Sequence, residues 1–316
     1  MSAPQAIGVD VGGTKIAALR VSAEGTVETR ATRRTPAADE SATLSAIDDA
    51  VEEVRTDAVV AIGVGAAGLV DVRRGVLLSS PNLSWRDVPL RERLLSSFGL
   101  PVTVDNDATA GAWAETVLGA SRGVANSLFV GVGTGIGGGI VQDGRLVRGA
   151  HGFAGEIGHL IVEPNGPPCG CGNLGCWEQV ASGQAIARAG RVDVVARPDG
   201  AIAGSADGDP ARVTGELVTE AARRGDGTAR SILAAVGLRL GQGIAGLVNV
   251  LDPEIVVVGG GAGEAGDLLL EALRDAFHDA VEGVDVRPDV PIVAAALGND
   301  AGAIGAALVA MERSGA

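Results

Sequence analysis

Short apolar runs alternate with amphipathic stretches along the chain, and glycine or charge breaks each run. Ala6–Asp10 and Ile16–Val21 are apolar segments on either side of the glycine turn Val11–Lys15, which is typical of a hairpin. Ser127–Gly144 repeats this order of strand, glycine and threonine turn, and strand. The repeat predicts two related α/β halves that face each other.

Helical and strand-like segments alternate between and after these two hairpins. Some stretches carry apolar residues at helical spacing, whereas others are continuous apolar runs of strand length. This alternation predicts parallel or mixed sheets with helices on their faces. The tail Ala301–Met311 is predicted as a helix of small residues, and a tail of this kind could cross back to the first half. The other predicted helices are Leu44–Thr56, Leu90–Phe98, Ala108–Leu118, Pro210–Arg224 and Ala229–Leu251, the strands are Ala58–Gly65, Val102–Val104 and Glu254–Val258, and Asp199–Asp209 is predicted as a loop.

The composition describes a globular α/β chain and argues against nucleic-acid binding. Of 316 residues, 46% are hydrophobic and 49 are glycine, but only 2% are aromatic, so Ala, Val, Leu and Ile build the core. The length suits two domains of about 150 residues each, with a cleft between them. The net charge of −14 leaves few clustered Lys and Arg for phosphodiester contacts, so we expect no nucleic-acid partner.

The chain shows no targeting or membrane signal. No basic segment followed by an apolar core opens it, and apolar runs are broken before the roughly 18 residues that a membrane span needs. We therefore expect a cytoplasmic protein with no membrane partner. Three cysteines crowded into one loop do not form a disulfide framework, and in a reducing compartment they indicate metal ligands or redox groups.

Three glycine-rich turns follow strands; they span Asp10–Lys15, Gly131–Gly139 and Gly259–Gly263. Glycine lets backbone N–H groups approach an anion, and Thr14 and Thr134 add hydroxyl donors. A hairpin that merely needs glycine explains one such turn, but three together favour a nucleotide held between two lobes. Lys15 is the only lysine, and the alternative to a functional role is chance in an arginine-biased chain.

Polar side chains lie where a predicted strand meets a predicted helix, at Asp105, Asn106 and Asp107. A carboxylate here can accept a proton from a hydroxyl nucleophile while the adjacent amide fixes the substrate. The alternative is helix capping by Asn106 or Asp107, a frequent use of these residue types. Capping and catalysis do not exclude each other.

One histidine and all three cysteines follow the spacing H-x9-C-x-C-x4-C; they are His159, Cys169, Cys171 and Cys176. One imidazole and three thiolates complete a tetrahedral zinc site with no open position, which predicts a structural metal. The competing interpretations are a redox cluster, or three structural thiols with His159 unrelated to them. Glu156 and Glu178 bracket this loop, either as rigid hydrogen-bond acceptors for a polyhydroxylated ligand or as solvated surface charges.

These motifs resemble the sugar kinases of the ROK family, most closely its bacterial ATP-dependent glucokinases. The motifs that carry the resemblance are "GVDVGGTK", "DND", "GVGTGIGGGI", "HGFAGEIGH", "CGCGNLGCWE" and "VVVGGG", spread over nearly the whole chain. The resemblance implies an actin-like ATPase fold (hexokinase and ribonuclease H-like), with two α/β lobes and a cleft between them. We expect a smaller lobe over residues 1–108 plus 299–316 and a larger lobe over residues 109–298.

The resemblance also implies which residues bind sugar, nucleotide and metal. Asp107 is expected to be the general base on the sugar 6-hydroxyl, and Asp10 to organise Mg²⁺ near the phosphates. His159 is expected to hold zinc through one ring nitrogen and to face the sugar with the other. The implied sugar ligands are Gly68, Asn82, Asn106, Asp107, Glu156, His159 and Glu178, the nucleotide site is Asp10, Gly12, Gly13, Thr14, Lys15, Gly133, Thr134, Gly135, Gly260 and Gly261, and the zinc ligands are His159, Cys169, Cys171 and Cys176.

The function implied is transfer of the γ-phosphoryl group of ATP to the 6-hydroxyl of glucose. The alternatives are a kinase for mannose, fructose or an N-acetylhexosamine, a glucokinase that uses polyphosphate, and a sugar sensor without catalysis, against which the intact "DND" argues.

Repressors of the family carry a helix-turn-helix before the first glycine turn, for which the nine residues before Asp10 leave no room. Thr109 departs from the family pattern, which often has asparagine there. Family members are commonly dimers or tetramers, so we expect a homo-oligomer.

Overall fold

The computed structural model describes residues 3–81, 83–261 and 265–315. The strands are β1 Gln5–Val11, β2 Lys15–Ser22, β3 Val27–Arg34, β4 Val59–Ala66, β5 Leu69–Asp71, β6 Val76–Ser79, β7 Arg86–Val88, β8 Val102–Asn106, β9 Ser127–Val132, β10 Ile136–Gln142, β11 Arg145–Leu146, β12 Ile255–Gly259 and β13 Ile292–Ala294. The helices are α1 Glu40–Val54, α2 Leu90–Phe98, α3 Asp107–Val117, α4 Trp177–Ala181, α5 Gly183–Ala196, α6 Ala201–Ser205, α7 Gly215–Arg223, α8 Gly227–Leu251, α9 Asp267–Ala280 and α10 Ala301–Ser314. Single 3₁₀ turns lie at Ile157–His159, Pro210–Arg212 and Gly298–Asp300.

Contacts among the described residues divide the chain into two compact units. The first comprises Met1–Phe129, Gly138–Gly155 and Ala296–Ala316, and the second comprises Val130–Gly137 and Glu156–Ala295. The first unit includes α3, which packs closely on α10. A Cβ at Gly305 would overlap the carbonyl oxygen of Ala110, so the two helix backbones touch.

The first unit is built on a five-stranded sheet of order β3-β2-β1-β4-β8. β4 runs parallel to both β1 and β8, whereas β2 is antiparallel to β1 and β3. Ile7 and Val9 share a buried cluster with Ile47 of α1, and Ala6 joins Ile304 of α10 on the opposite face. Helices on both faces explain why β1 is apolar along nearly its whole length.

Two glycines in one row of this sheet allow α10 to lie directly on it. Gly8 of β1 pairs in register with Gly63 of β4. A Cβ at Gly8 would overlap the carbonyl oxygen of Ala303, and a Cβ at Gly63 would overlap that of Ala306. The predicted tail helix is therefore confirmed, and it does pack back on the first sheet.

The second five-stranded sheet has the order β11-β10-β9-β12-β13, and a small sheet of order β5-β6-β7 lies in the first unit. Among the described residues, α8 is the one helix long and apolar enough to cross a membrane by length and composition. Gly237 and Gly241 of α8 leave no room for a Cβ beside the backbone of α9, and Gly243 lies against Trp177. Such close contacts are typical of a core helix of a globular protein.

Several elements differ from the sequence-based prediction. The edge strand β3 was not predicted because its exposed positions carry charged residues, and α5 was not predicted although its buried residues recur at helical spacing. The predicted loop Asp199–Asp209 contains the short helix α6. Pro210 begins a 3₁₀ turn, and α7 starts only after Thr214, whose hydroxyl accepts the Leu217 N–H.

Candidate active site and metal centre

The first unit collects polar side chains at the carboxyl ends of its parallel strands. Asp10 of β1, Gly65 of β4 and Asp105 of β8 form one row across the sheet. Asn106 ends β8, and Asp107 begins α3. Because ligands of open α/β sheets bind outside the carboxyl ends of the strands, this end is well placed for chemistry.

Asn106 caps α3, as the capping alternative predicted. Its Oδ1 accepts the N–H groups of Ala108 at 2.9 Å and Thr109 at 3.1 Å. Its Nδ2 donates to the carbonyl oxygen of Gly68 at 3.3 Å. Gly68 has φ +131, and a Cβ there would overlap the Ser79 carbonyl oxygen, so glycine is required. The Asn106 amide retains one N–H for a ligand, because its oxygen and its other N–H are already engaged.

Asp10 and Asp107 are carboxylates whose ionised forms are disfavoured. Burial raises the pKa of Asp10 from 3.8 to about 7, and the Asp107 charge adds to this rise, whereas Lys15 opposes it. Burial also raises the pKa of Asp107, although the Ala108 N–H hydrogen bonds to its Oδ1 at 2.9 Å. A carboxylate with a raised pKa is a better proton acceptor near neutral pH. This pair therefore suits proton transfer or cation binding.

The first turn of α10 lies against both aspartates. A Cβ at Gly302 would lie 3.6 Å from Cγ of Asp10 and 3.5 Å from the carbonyl oxygen of Asp107. A helix N-terminus carries unpaired N–H groups and partial positive charge, which favour nearby anions. Gly302 was not among the predicted site residues, and its position in the first turn of a small-residue helix was the available signal.

The first glycine turn is fixed by a residue that the sequence analysis missed. Gly12 N–H donates to the Lys15 carbonyl oxygen at 3.0 Å, which closes the turn around Gly13. Thr35 is 6% exposed; its hydroxyl donates to the Gly12 carbonyl oxygen at 2.8 Å and its N–H to that of Thr14 at 3.0 Å. No local sequence pattern connects Thr35 with the turn. The two meet because β3, which ends one residue before Thr35, pairs with β2.

The second glycine turn meets the described residues of the third, 259–261, in the second unit. A Cβ at Gly260, which has φ +71, would lie 2.6 Å from the Val132 carbonyl oxygen at the end of β9, and Gly261 follows. Of the predicted stretch Gly131–Gly139, residues Gly133–Gly135 form the actual turn between β9 and β10, and this is the second glycine turn from here on. It is held by the N-terminus of α5. Gly183 N–H donates to the Gly133 carbonyl oxygen at 2.9 Å and Gln184 N–H to that of Thr134 at 3.3 Å. Two carbonyl oxygens of the turn, those of Gly133 and Thr134, therefore already accept hydrogen bonds within the protein.

The four predicted metal ligands come together. Their ligand atoms all lie within 4.8 Å of one another, with Cys169 Sγ 3.6 Å from His159 Nδ1 and Cys171 Sγ 3.5 Å from Cys176 Sγ. Ligands of a tetrahedral zinc ion are separated by roughly 3.3–3.8 Å, so the donor set fits zinc. His159 is part of the cluster, contrary to the alternative that it is unrelated. Burial raises the pKa of the Cys169 thiol to about 12, so a metal bound here would displace its proton.

Backbone contacts shape the metal loop, which we define as residues 159–178. Isolated bridges pair Ile161 with Cys176 and Pro168 with Leu174. Cys169 N–H donates to the Asn173 carbonyl oxygen at 2.9 Å. Gly175 has φ +70, and a Cβ there would overlap the backbone of the facing strand-like segment, so only glycine fits. The loop is therefore folded around its cysteines by main-chain groups.

Glu156 and Glu178 flank His159 on its two ring nitrogens. Oε2 of Glu156 lies 3.8 Å from Nε2, and Oε1 of Glu178 lies 3.8 Å from Nδ1. Glu178 also accepts the Cys169 thiol at 3.0 Å, and its side chain is 17% exposed, so it is not a solvated surface charge. Of the other predicted sugar ligands, Asn82 lies outside the described residues.

Asp105, the first residue of the "DND" motif, is used within the fold. It is 3% exposed; its Oδ2 accepts a hydrogen bond from Nε of Arg148 at 2.8 Å and forms an ion pair with a terminal nitrogen of the same side chain at 2.7 Å. A charge-assisted pair of this kind holds the end of β8 in place. Thr109 is also buried, and its N–H serves the α3 cap. Arg148 carried no signal in the sequence.

The ROK family model matches residues 6–313 of this chain. The chain belongs to the ROK family. It is 41% identical to a glucokinase of Streptomyces coelicolor over 309 residues, which make up 97% of each chain. It is similar to the crystal structure of a ROK-family glucokinase from Streptomyces griseus in complex with glucose and AMPPNP, at 40% identity and a TM-score of 0.91, over 98% of this chain and 99% of that one. A ROK hexokinase from Thermus thermophilus is 36% identical, with a TM-score of 0.80 over 98% of both chains.

These similarities confirm the actin-like ATPase fold that the motifs of a ROK-family chain implied. Within the first unit, the structure brings Asp10, Asn106 and Asp107 to one end of the sheet. Within the second, it brings the metal ligands together and places Glu156 and Glu178 beside them.

Proposed function

We propose that this ROK-family chain is a glucokinase, which transfers the γ-phosphoryl group of ATP to the 6-hydroxyl of glucose. The observation that carries the proposal is the similarity over nearly the full length to glucokinases, including one in complex with glucose and an ATP analogue. Phosphoryl transfer depends mainly on positioning and on charge stabilisation, with little covalent chemistry for the protein to do.

Asp107 is the proposed general base. It accepts the proton of the sugar 6-hydroxyl as that oxygen attacks the γ-phosphorus, and ADP leaves. The raised pKa of Asp107 supports this role, since burial makes the carboxylate a stronger base while the α3 N-terminus keeps it in position. Asn106, which fixes both α3 and the Gly68 carbonyl, orients the sugar through its remaining N–H.

Asp10 and the glycine turns form the proposed nucleotide site, with Mg²⁺ as the expected cofactor. When bound, Mg²⁺ would neutralise charge on the phosphates. Asp10 fits a site near this ion, because its carboxylate lies in a buried position that a cation would stabilise. Backbone N–H groups that the turns do not use themselves, together with the hydroxyls of Thr14 and Thr134, would bind the phosphate oxygens. The residues proposed around the phosphate chain are Gly12, Gly13, Thr14, Lys15, Gly133, Thr134, Gly135, Gly260 and Gly261.

The proposed sugar ligands of the second unit stand beside the metal loop. Glu156, His159 and Glu178 accept or donate hydrogen bonds to ring hydroxyls, and Asn82 stays a predicted ligand. The donor set of His159 and three cysteines supports zinc as the bound metal. Its four ligands leave no open coordination position, so zinc would rigidify the loop and take no part in phosphoryl transfer.

A coupled assay with a panel of sugars and phosphoryl donors tests the proposal. We expect ADP release that depends on glucose and ATP, with weaker activity on mannose, fructose and N-acetylhexosamines. A preference for another hexose, or for polyphosphate over ATP, would replace glucokinase by the corresponding kinase. Sugar binding without ADP release would indicate a sensor. Cell fractionation and light scattering test the expected cytoplasmic location and homo-oligomer.

A further inference from the structure

Glu178 touches both the metal loop and the second glycine turn. Its Oε1 accepts the Cys169 thiol at 3.0 Å. Its Oε2 accepts the N–H of Ile136, the residue directly after the turn, at 3.4 Å. One carboxylate therefore joins two sites to which the proposed function gives different ligands, a structural metal and the phosphates of a nucleotide.

Gly135 lies directly against the carboxylate of Glu178. A Cβ at Gly135 would overlap Oε2 of Glu178, although the backbone there does not have a left-handed φ. Glycine thus lets the carboxylate lie directly against the turn, because a Cβ here would push the end of the Glu178 side chain aside. The phosphate turn and the acidic side chain are packed against each other, and a shift of one displaces the other.

Metal binding would restrain the atom that Glu178 contacts on the side of the cysteines. Cys169 Sγ is one of the four ligand atoms that lie within 4.8 Å of one another, and it contacts Oε1 of Glu178. Gln179 Nε2 donates to the same oxygen at 3.3 Å, while Oε2 accepts the Ile136 N–H. An ion that joins the four ligands would limit the motion of Cys169 and of helix α4, which carries Glu178 directly after the ligand Cys176. The occupancy of the metal loop therefore alters how firmly Glu178 holds the second glycine turn.

We infer that Glu178 couples the metal loop to nucleotide binding. Metal at the loop strengthens nucleotide binding at the second glycine turn, and nucleotide strengthens retention of the metal. The inference rests on the proposed assignment of this turn to the phosphates. Because linkage is reciprocal, the same factor applies in both directions, and coupling between sites is typically about 5- to 150-fold.

Zinc release from the intact, zinc-loaded protein tests the coupling without any turnover. A chelating dye takes up the zinc, and its uptake is followed with and without ADP kept saturated by Mg²⁺, in the absence of sugar. We expect bound ADP to lower the equilibrium transfer of zinc to the dye by about 5-fold or more in the wild-type protein. Glu178→Gln, which keeps the shape but removes the charge, should bring this factor close to one.

Glu163→Gln is the matched control. Glu163 lies in the same loop, but its carboxylate faces Arg239 at 3.7 Å, so this variant should keep the wild-type factor. Gly135→Ala tests the same contact from the turn and should also reduce the factor. Circular dichroism of each zinc-loaded variant verifies that it is folded.

Calorimetry of Mg²⁺-ADP binding to the same samples separates two kinds of failure. If wild-type protein binds no ADP, the nucleotide assignment and the coupling are both overturned. If ADP binds but does not affect zinc retention, the kinase proposal stands and the coupling through Glu178 is overturned. An equal loss of coupling in Glu178→Gln and Glu163→Gln would overturn it as well, because the effect would then belong to the loop's charge.

Discussion

The acidic end of the first sheet and the metal loop of the second unit hold charged groups by different means. Asp10 and Asp105 occupy one row of a regular sheet, whose register and helices on both faces set their positions. The metal loop has only isolated bridges and glycine turns, and its four ligand atoms face one another. The apolar core thus builds the first region, whereas the second depends on what its own side chains bind.

Removal of the metal should disturb the metal loop and leave the first sheet intact, and this is the largest effect that we expect. We expect a chelator to abolish kinase activity and zinc to restore it, because the loop loses the ion that joins its ligands. Amide hydrogen exchange should rise at Val162 and Gly175, whose N–H groups hold the loop, and should stay unchanged at Gly12. Active protein in which elemental analysis finds no zinc would contradict this.

Asp107→Asn removes the proposed general base from the acidic end of the first sheet. We expect turnover to fall by about 10²- to 10⁴-fold, the usual contribution of a general base, with sugar binding largely kept. Steady-state kinetics and calorimetric titration with glucose measure the two effects. Asp105→Asn is the neighbouring control, because it breaks the Arg148 pair and should lower stability more than turnover. Near-normal turnover of Asp107→Asn would remove this residue from the mechanism.

Asp10→Asn should stabilise the protein while removing activity. The folded pKa of Asp10, about 7, lies above its ordinary value of 3.8, so between these values the native state binds more protons than the unfolded state. The contribution of Asp10 to stability therefore falls as pH rises through this window. Asn imitates the neutral form, so urea unfolding in Mg²⁺-free buffer should show a gain on the order of 2–4 kcal/mol at pH 8.

The pH dependence decides whether this gain comes from the charge. It should shrink steadily as the pH falls, and it should vanish below the ordinary pKa of 3.8, where the wild-type carboxyl becomes neutral in the folded and the unfolded state. A gain of the same size at pH 8 and pH 4.5 would show that repacking, and not ionisation, stabilises the variant.

Thr35→Val should have the smallest effect. The variant keeps the volume of the buried side chain but loses the hydrogen bond to the Gly12 carbonyl oxygen, which costs about 1 kcal/mol of unfolding free energy. The KM for ATP should rise a few-fold, because the first glycine turn loses one of the two hydrogen bonds that Thr35 donates to it. Thr32→Val, at an exposed position of β3, should change neither value. Equal effects of the two variants would exclude this role of Thr35.

Local patterns were sufficient to predict the elements that carry the site. The hairpin of β1 and β2, the helix after Asn106 and the helix near Ala301 follow from apolar periodicity and turn residues, and the metal ligands follow from cysteine spacing. These features are encoded within a few tens of residues, and so a single sequence reveals them.

Contacts between distant segments could not be predicted in this way. Arg148 reaches Asp105, and Thr35 reaches Gly12, only because the sheet brings the segments together. The charged edge strand β3 also carries no apolar run that marks it. The packing of α10 on α3 likewise joins residues that are far apart in the chain.

The close packing of α10 on Gly8 and Gly63 has a consequence for the synthesis of the protein. More than two hundred residues separate β4 from α10, so the ribosome exposes one bare face of the sheet long before its cover emerges. At about 5–20 residues per second, this interval lasts on the order of ten to fifty seconds. A nascent chain of this kind is a natural client for chaperones that shield apolar surfaces, and the first unit can finish folding only after translation has passed residue 314.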